Sequence, residues 1–294
     1  MGADLHCHTR LSDGSLGLDD LIILAKKQGI TKIAITDHDC LAGTVRGRLI
    51  GGRHGVTVIP GVELSCTDAT RNRKVHILCY LADSPDRLEG LCRRNLTARK
   101  RAGQHMVIRV ARRYPTTPDL IVKCASGSTN VYKQHIMHSL MECGLTDQIF
   151  GSLYDELFTA ESDTNVIVNA KFPEPKEIID AIHDAGGIAV LAHPFKFDSI
   201  DLLEELIPLG LDGVEVWQPS CKEDERDYLK TVAKKHDLLM TGGSNFHGMY
   251  SNCKVSIGDV MTPAENVRQL LSYKARKRRS AAANAASIKD EASK

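Results

Sequence analysis

Short runs rich in valine and isoleucine alternate along this chain with longer amphipathic stretches. "ADLHCH" opens the series as a strand. It is followed by "LDDLIILAKKQG", whose Leu18, Leu21, Ile22 and Ala25 share one helical face that ends at Gly29. "KIAIT" (32–36) predicts a second strand and "LAGTVRGRLIGG" a second helix. "VTVIPGVEL" (56–64) and "VHILCYL" (75–81) predict a third and a fourth strand, joined by a short polar turn. Further on, "KEIIDAIHDAGG" has Pro175 near its start and glycines at its end, the punctuation of a helix. "IAVLA" (188–192), a helix over 199–209, "DGVEVW" (212–217), a helix over 222–236 and "LLMTGG" (238–243) complete the pattern. Seven strands, mostly alternating with helices, predict a parallel α/β architecture. Seven near-repeats, with no Gly-rich phosphate fingerprint after the first strand, favour a closed or nearly closed barrel over an open sheet.

Residues 88 to about 170 break this rhythm. "HMVIRVARRY", "HIMHSLMECG" and "SLYDELF" are helical in pattern, and no strand is suggested before "NVIV". The expected organisation is a barrel built from 1–87 and 171–279, a helical insertion over 88–170, and a basic, low-complexity tail over 280–294. From Arg87 to Lys123 the insertion carries ten Lys and Arg against two acidic residues, Glu89 and Asp119. A solvated helix face accounts for such a run; an anion-receiving lid over the barrel mouth is the alternative.

Composition narrows the class. The 294 residues, 42% hydrophobic and 26% charged, can build a substantial core. A net charge of +1 gives no global case for nucleic acid or membrane binding. The nine cysteines are never spaced as CxxC and lie in apolar segments, which points to reduced, buried thiols in a cytoplasmic protein. No apolar run is long enough to span a bilayer, and no secretory leader or obligate protein partner is evident.

The histidines sit where strands end. In a strand, His6 and His8 share a face while Cys7 points away, so two imidazoles can reach one ion. The C-terminal ends of barrel strands are where such folds place their chemistry. Taken alone, the HxH pattern is weak, and a structural pair accounts for it as well as a ligand pair. The second strand, however, ends in "TDHDC", the third in "GVELS", the fifth in "AHP", and the last runs into "GGSNFHG". His6, His8, His38, His76, His193 and His247 are thus six of the 12 histidines at or beside strand ends. His76 could be a core histidine and His193 a turn residue, but packing does not explain all six. His54, His105, His138, His183 and His236 have no such setting. Imidazoles with carboxylates suit zinc, manganese or iron. The ligands are too many for one ion, so two or three metals bridged by a carboxylate, naturally Glu63, are expected. Cys7, Cys40 and Cys66 adjoin these positions as packing residues.

"HCHTRLSDG", "ITDHD", "PGVELS", "VHILCY", "LAHP" and "GGSNFHG" resemble, in order, the motifs of the polymerase and histidinol phosphatase (PHP) family. The match spans Asp4 to Gly248. The insertion, with "YKQHIMHSLMECG", resembles that of stand-alone members acting on nucleotides. The resemblance implies a distorted (β/α)7 barrel and a trinuclear centre. It implies that His6, His8, Glu63 and residue 245 hold one ion. Glu63, His76 and His193 hold a second, and Asp13, His38 and His247 a third. Where the family usually has aspartate this chain has Asn245, a neutral ligand. His135 matches a phosphate-gripping histidine of the subgroup, and Arg99, Arg101 and Lys133 are candidates by charge and placement.

The expected activity is metal-dependent hydrolysis of a phosphomonoester on a nucleotide-like substrate, a nucleoside mono- or bisphosphate. Metal-bound hydroxide held by His6, His8, Glu63, His193 and His247 would be the catalyst. A 5′-to-3′ exoribonuclease on short RNA is an alternative. An amidohydrolase-type barrel also begins with HxH, but Asp13, "TDHD" and the Asn-x-His ending argue against it. The remaining alternative is a nucleotide-binding protein whose catalysis is weakened at Asn245.

Overall fold

The computed structural model describes residues 2–159, 162–252 and 254–292, with side chains to 279. The element order is β1 (Asp4–Cys7), α1 (Leu18–Lys27), β2 (Lys32–Ile35), α2 (Ala42–His54), β3 (Thr57–Asp68) and β4 (Arg73–Tyr80). The insertion follows as α3 (Glu89–Ala111), α4 (Pro118–Cys124), α5 (Lys133–Glu142) and α6 (Ser152–Phe158). Then come α7 (Pro175–Asp184), β5 (Ile188–Leu191), α8 (Leu202–Leu206), β6 (Gly213–Trp217), α9 (Glu223–Lys235), β7 (Leu239–Gly242) and α10 (Ala264–Ala292).

The seven strands form one sheet in sequence order, β1 to β7. It curls into the expected distorted barrel, with one departure from the parallel pattern. β4 runs antiparallel to both β3 and β5, while the other neighbours are parallel. The cause is local: the polar turn between Asp68 and Arg73 is far shorter than any parallel crossover. Two further expectations change. "NVIV" forms no strand; Val166 instead donates its N–H to Leu157 and packs inside the insertion. α10 continues as helix through Ala292, so most of the anticipated tail is helical, and Ser293 and Lys294 lie outside the described residues.

Period-two alternation sorts the strand residues into layers. Ile33, Ile35 and Val58 pack outward against α1, while Ile77, Cys79, Ala189 and Leu191 pack outward against α7 and α8. The residues between them, Ala34, Ile59, Leu78, Tyr80, Ile188 and Val190, point inward to a common plug that α10 closes with Val267 and Leu270. Each large apolar side chain so buried stabilises by about 1.5–3 kcal/mol. Further along the same inward faces the residues turn polar: Glu63 on β3, His76 on β4 and Glu215 on β6. The apolar plug is therefore the floor of a polar site. The insertion helices have an apolar core of their own, with Val110, Ile121, Ile136, Met137 and Leu157 fully buried.

No ladder joins β7 back to β1 among the described residues. Beside a single parallel bridge between Cys7 and Phe246, Asp4 closes that seam. Its carboxylate accepts the backbone N–H and the hydroxyl of Ser244 (2.9 and 2.6 Å) and the N–H of Gly258 (2.9 Å). Gly243 permits the approach, since a Cβ there would sit 2.4 Å from the backbone nitrogen of His6. Asp4→Ala should cost at least about 3 kcal/mol, because it leaves several buried donors unpaired. The measurement is the urea midpoint at unchanged slope; a loss under ~1 kcal/mol would show that the strands hold the seam without it.

Candidate metal centre

The candidate ligands are delivered by the strands and by the loops that follow them, and a buried hydrogen bond fixes most of those loops. After β1 the chain turns back at Gly14, where a Cβ would lie 2.4 Å from the carbonyl oxygen of His8. Asp37 pins this loop by accepting the N–H and hydroxyl of Thr9 (2.8 and 2.7 Å) and the hydroxyl of Ser12 (2.6 Å). Asp13 is thereby brought under His8 and His247. After β2, Asp39 sits at φ 52° and accepts from Ser65, Asn95 and Arg99. After β5 and β7, His193 and Asn245 are also left-handed, at φ 30° and 47°. Non-glycine residues in that region store roughly 1–3 kcal/mol each and persist where surroundings enforce them.

Glu63 is the hub. Its Oε1 lies 2.8 Å from both His76 Nδ1 and His193 Nε2. Its Oε2 lies 3.2 Å from His6 Nε2, 3.1 Å from His8 Nε2 and 3.2 Å from His38 Nδ1. A second focus forms around Asp13, whose Oδ1 is 3.3 Å from His247 Nε2 and 3.6 Å from His8 Nδ1, with His38 Nε2 3.8 Å from Oδ2. Three sets bring ligand atoms within 4.8 Å of one another: His8, Asp13, His38 and His247; His6, Glu63 and His193; and His38, Glu63 and His76. The eight predicted His, Asp and Glu ligands are thus brought together, although His8 groups with Asp13, His38 and His247 rather than with His6, and His193 groups with His6 rather than with His76. Asn245 lines the same cavity, and its backbone carbonyl accepts from His247 Nδ1 at 2.7 Å.

The electrostatics fit divalent cations. Burial favours neutral Glu63, but His38, His76 and His6 outweigh it and hold the carboxyl well below its ordinary range. Asp13 is likewise held down, by His247 and His38 against burial. Burial lowers His8 and His193 to about 4 and pushes His38 well down. Glu63 and Asp13 are therefore held anionic and His8, His38 and His193 neutral, the states in which both ligate metals. His6 differs: burial lowers it, yet Glu215 and Glu63 outweigh that and raise it to about 10, so the cluster draws positive charge at this point. Asp13 Oδ1, His38 Nδ1 and His193 Nδ1 are buried with no hydrogen-bond partner. Orphans of that kind cost about 1–3 kcal/mol each unless something else satisfies them. The donor set and its orphaned atoms fit bound metal.

The cluster opens into a cavity of about 780 Å³. Arg99 lines it, held by Asp39 at 2.9 Å and sandwiched between the rings of Tyr132 and Phe172, each centroid 5.0 Å away. Lys133 and Lys74 line it too. Two expected phosphate contacts are not in this wall. Arg101 is exposed on the outer side of α3 beside Arg93, Arg94 and Thr97. His135 is buried, and its Nδ1 accepts the N–H of Tyr132 as part of the α5 N-terminal cap. Sequence reading missed Lys74, Gln134, whose amide donates to Asp13 at 3.3 Å, and Glu215, which touches His6 and His193. Glu215 alone left a signal, as a carboxylate in the middle of the apolar strand "GVEVW".

A PHP-domain family model matches residues 4–187. The phosphoribosyl 1,2-cyclic phosphate 1,2-diphosphodiesterase of Eggerthella lenta is 32% identical over 249 residues, covering 84% of this chain and 94% of that protein. The 5′-3′ exoribonuclease Rnm of Escherichia coli is 31% identical, covering 83% and 84%. A solved structure of a candidate metal-dependent phosphoesterase from Bifidobacterium adolescentis superposes with a TM-score of 0.82 at 30% identity, covering 92% and 96%.

Zinc or manganese should raise the thermal midpoint of this protein, since a ligand at a hundred times its dissociation constant adds about 2.7 kcal/mol. Glu63→Ala should abolish most of that shift, and Asn245→Asp should raise metal content at limiting manganese. Equal content in the wild-type and Asn245→Asp proteins would mean that the amide serves as well as the acid.

Proposed function

We propose that this chain, which belongs to the PHP-domain family and is a metal-dependent phosphoesterase, hydrolyses a phosphomonoester on a small nucleotide-like substrate. The observation that carries this reading is the meeting of two features in one cavity. The histidine–carboxylate cluster lies beside a wall bearing Arg99, Lys74 and Lys133. A monoester is up to a dianion and a diester a monoanion. Of the three cations, Arg99 is paired with Asp39. The two lysines are placed to receive the further charge.

Two or three manganese, iron or zinc ions held by His6, His8, Asp13, His38, Glu63, His76, His193, Asn245 and His247 would lower the pKa of water and neutralise phosphoryl oxygens. The chain's own residues do the rest. Arg99, immobilised by Asp39 and by two aromatic faces, offers a guanidinium already fixed in place for an anionic oxygen. Lys133 lies over the Phe158 ring, centroid 5.0 Å away, and supplies a movable point charge. Phe195 and Phe197 line the cavity beside His193 and give the uncharged part of the substrate an apolar surface. No helix among the described residues is long and apolar enough to cross a membrane, which suits a cytoplasmic nucleotide as substrate.

A second reading, phosphodiester cleavage of a cyclic phosphate or an RNA end, is favoured by the names of the two relatives. The deciding experiment is phosphate release with manganese over nucleoside mono- and bisphosphates, set against a cyclic phosphate and 5′-phosphorylated short RNA. Release from a monoester, abolished by chelator and by Glu63→Ala, is the expected result. Turnover of the diesters alone would replace the monoester reading, and turnover of no phosphate ester would leave a binding protein.

Burial, with Lys74 adding repulsion, lowers Lys133 to about 8. Its positive charge is present below that pH and lost above it, so KM for a dianionic ester should rise as pH passes 8. Lys133→Met should raise KM already at pH 7, lowering kcat/KM roughly ten- to a hundred-fold, and should flatten that rise. An unchanged profile in the variant would remove Lys133 from substrate binding.

A further inference from the structure

Glu215 lies at the centre of β6, fully buried, on the inward face next to the metal cluster. It is not among the residues whose ligand atoms converge on the candidate metal positions. Its two oxygens are nevertheless committed to two different ligands. Oε1 lies 2.8 Å from His6 Nδ1, and Oε2 accepts the backbone N–H of His193 at 2.9 Å. A carboxylate oxygen only accepts, so Nδ1 carries a proton towards Glu215. His6 Nε2 faces Glu63 Oε2 and His8 Nε2, 3.2 and 3.1 Å away, and with Nδ1 so held it is the nitrogen that gives up its proton to ligate a metal. At His193 the same carboxylate holds the N–H of a residue at φ 30°, a strained turn whose ring reaches Glu63 Oε1 at 2.8 Å.

Core packing does not call for a carboxylate here. The outward neighbours Val214 and Val216 fill the apolar layer, and a buried charge on the inward face is costly unless its hydrogen bonds are fully used. We propose that Glu215 is a positioning residue: one carboxylate fixes the His6 tautomer and locks the His193 turn, and so builds the metal position of His6, Glu63 and His193. This rests on the metal-dependent reading above. It adds that occupancy of this one position is controlled by a residue that touches neither metal nor substrate.

An amide of the same shape cannot do both tasks. With its oxygen towards His6, a glutamine at 215 presents its NH2 to the His193 N–H, donor against donor. With its oxygen towards His193, the NH2 faces His6 Nδ1 and forces the proton to Nε2, which removes the ligating lone pair. Outer-shell partners of ligating histidines typically contribute ten- to a hundred-fold in metal affinity.

The test uses the full chain loaded with zinc. In wild-type protein with 15N-labelled histidine, the His6 ring should be protonated at Nδ1 and not at Nε2. Competition with a chromophoric chelator should show that Glu215→Gln weakens one zinc equivalent about ten- to a hundred-fold and leaves the others as in wild type. In a His6→Ala background the same substitution should cost less, because half of its partners are already gone. A His6 proton on Nε2 in the wild type overturns the proposal, even if Glu215→Gln fails to fold. So does unchanged affinity for every equivalent, uniform loss of all of them, equal cost in the His6→Ala background, or no zinc binding at all. Zinc binding as described with no phosphate ester cleaved would defeat the functional reading and leave this inference standing.

Discussion

The rest of the site depends on one buried carboxylate surrounded by imidazoles. Glu63 exposes almost no surface, yet His76 and His193 meet its Oε1 and His6, His8 and His38 meet its Oε2. An isolated carboxylate in that position would take up a proton; the ring of nitrogens holds it ionised instead. The reversed direction of β4 makes the arrangement possible. In the antiparallel pairing Glu63 stands opposite Leu78 and Ser65 opposite His76, so His76 lies one inward step beyond Glu63 on the neighbouring strand. Had the chain crossed over to a parallel fourth strand, the order of inward residues along it would run the other way. The bonds of the β3–β4 hairpin are therefore part of the metal geometry.

Around that hub stands a layer of carboxylates that hold ligands rather than serve as ligands. Asp4 ties the β7 loop to β1, Asp37 shapes the loop carrying Asp13, Asp39 anchors the loop after His38, and Glu215 joins His6 to His193. Each is buried, and each accepts from two or more donors, which is the condition under which a charge is tolerated in a protein interior. Non-glycine left-handed residues recur in the same loops, at Asp39, His193 and Asn245. Three of the seven such residues among the described residues therefore lie where ligands are presented, and the hydrogen bonds of these carboxylates hold their loops in place.

What sequence reading could reach follows from the range of the interactions. The histidines at 6, 8, 38, 193 and 247 were legible because they lie at or just beyond strand ends, which hydrophobic periodicity locates, whereas Asp13 and Asn245 came in through the resemblance of the ordered motifs. Arg99 and Arg101 show where periodicity must be applied more strictly. Residues two positions apart on a helix differ by about 200° in direction, so one faces the cavity and the other faces solvent. His135 is similar: as the third residue of α5 it was within reach of the N-terminal cap, and the cap takes its ring nitrogen. Gln134 and Glu215 were not found because their partners are far away in the chain. Gln134 meets Asp13 across 121 positions and Glu215 meets His6 across 209. A turn too short for a crossover was visible between the third and fourth strands, and it already required the antiparallel hairpin that alternation alone does not reveal.

The insertion shows the same economy at a larger scale. Its helices were expected to offer charge to a phosphate, and through Arg99 and Lys133 they line the cavity. They also reach the loops that carry the ligands. Gln134 donates to Asp13, and Asn95 and Arg99 donate to Asp39, the residue after His38. His138 is hydrogen-bonded at 2.8 Å to Tyr250, three residues beyond His247. Tyr250 is itself part of the insertion's apolar core. Three of the loops bearing ligands are therefore fastened to helices that contribute no metal ligand. A displacement of α3 or α5 changes the substrate wall and the ligand loops together, because the same side chains belong to both. Arg99 is the clearest instance: its guanidinium cannot leave the cavity wall without releasing Asp39.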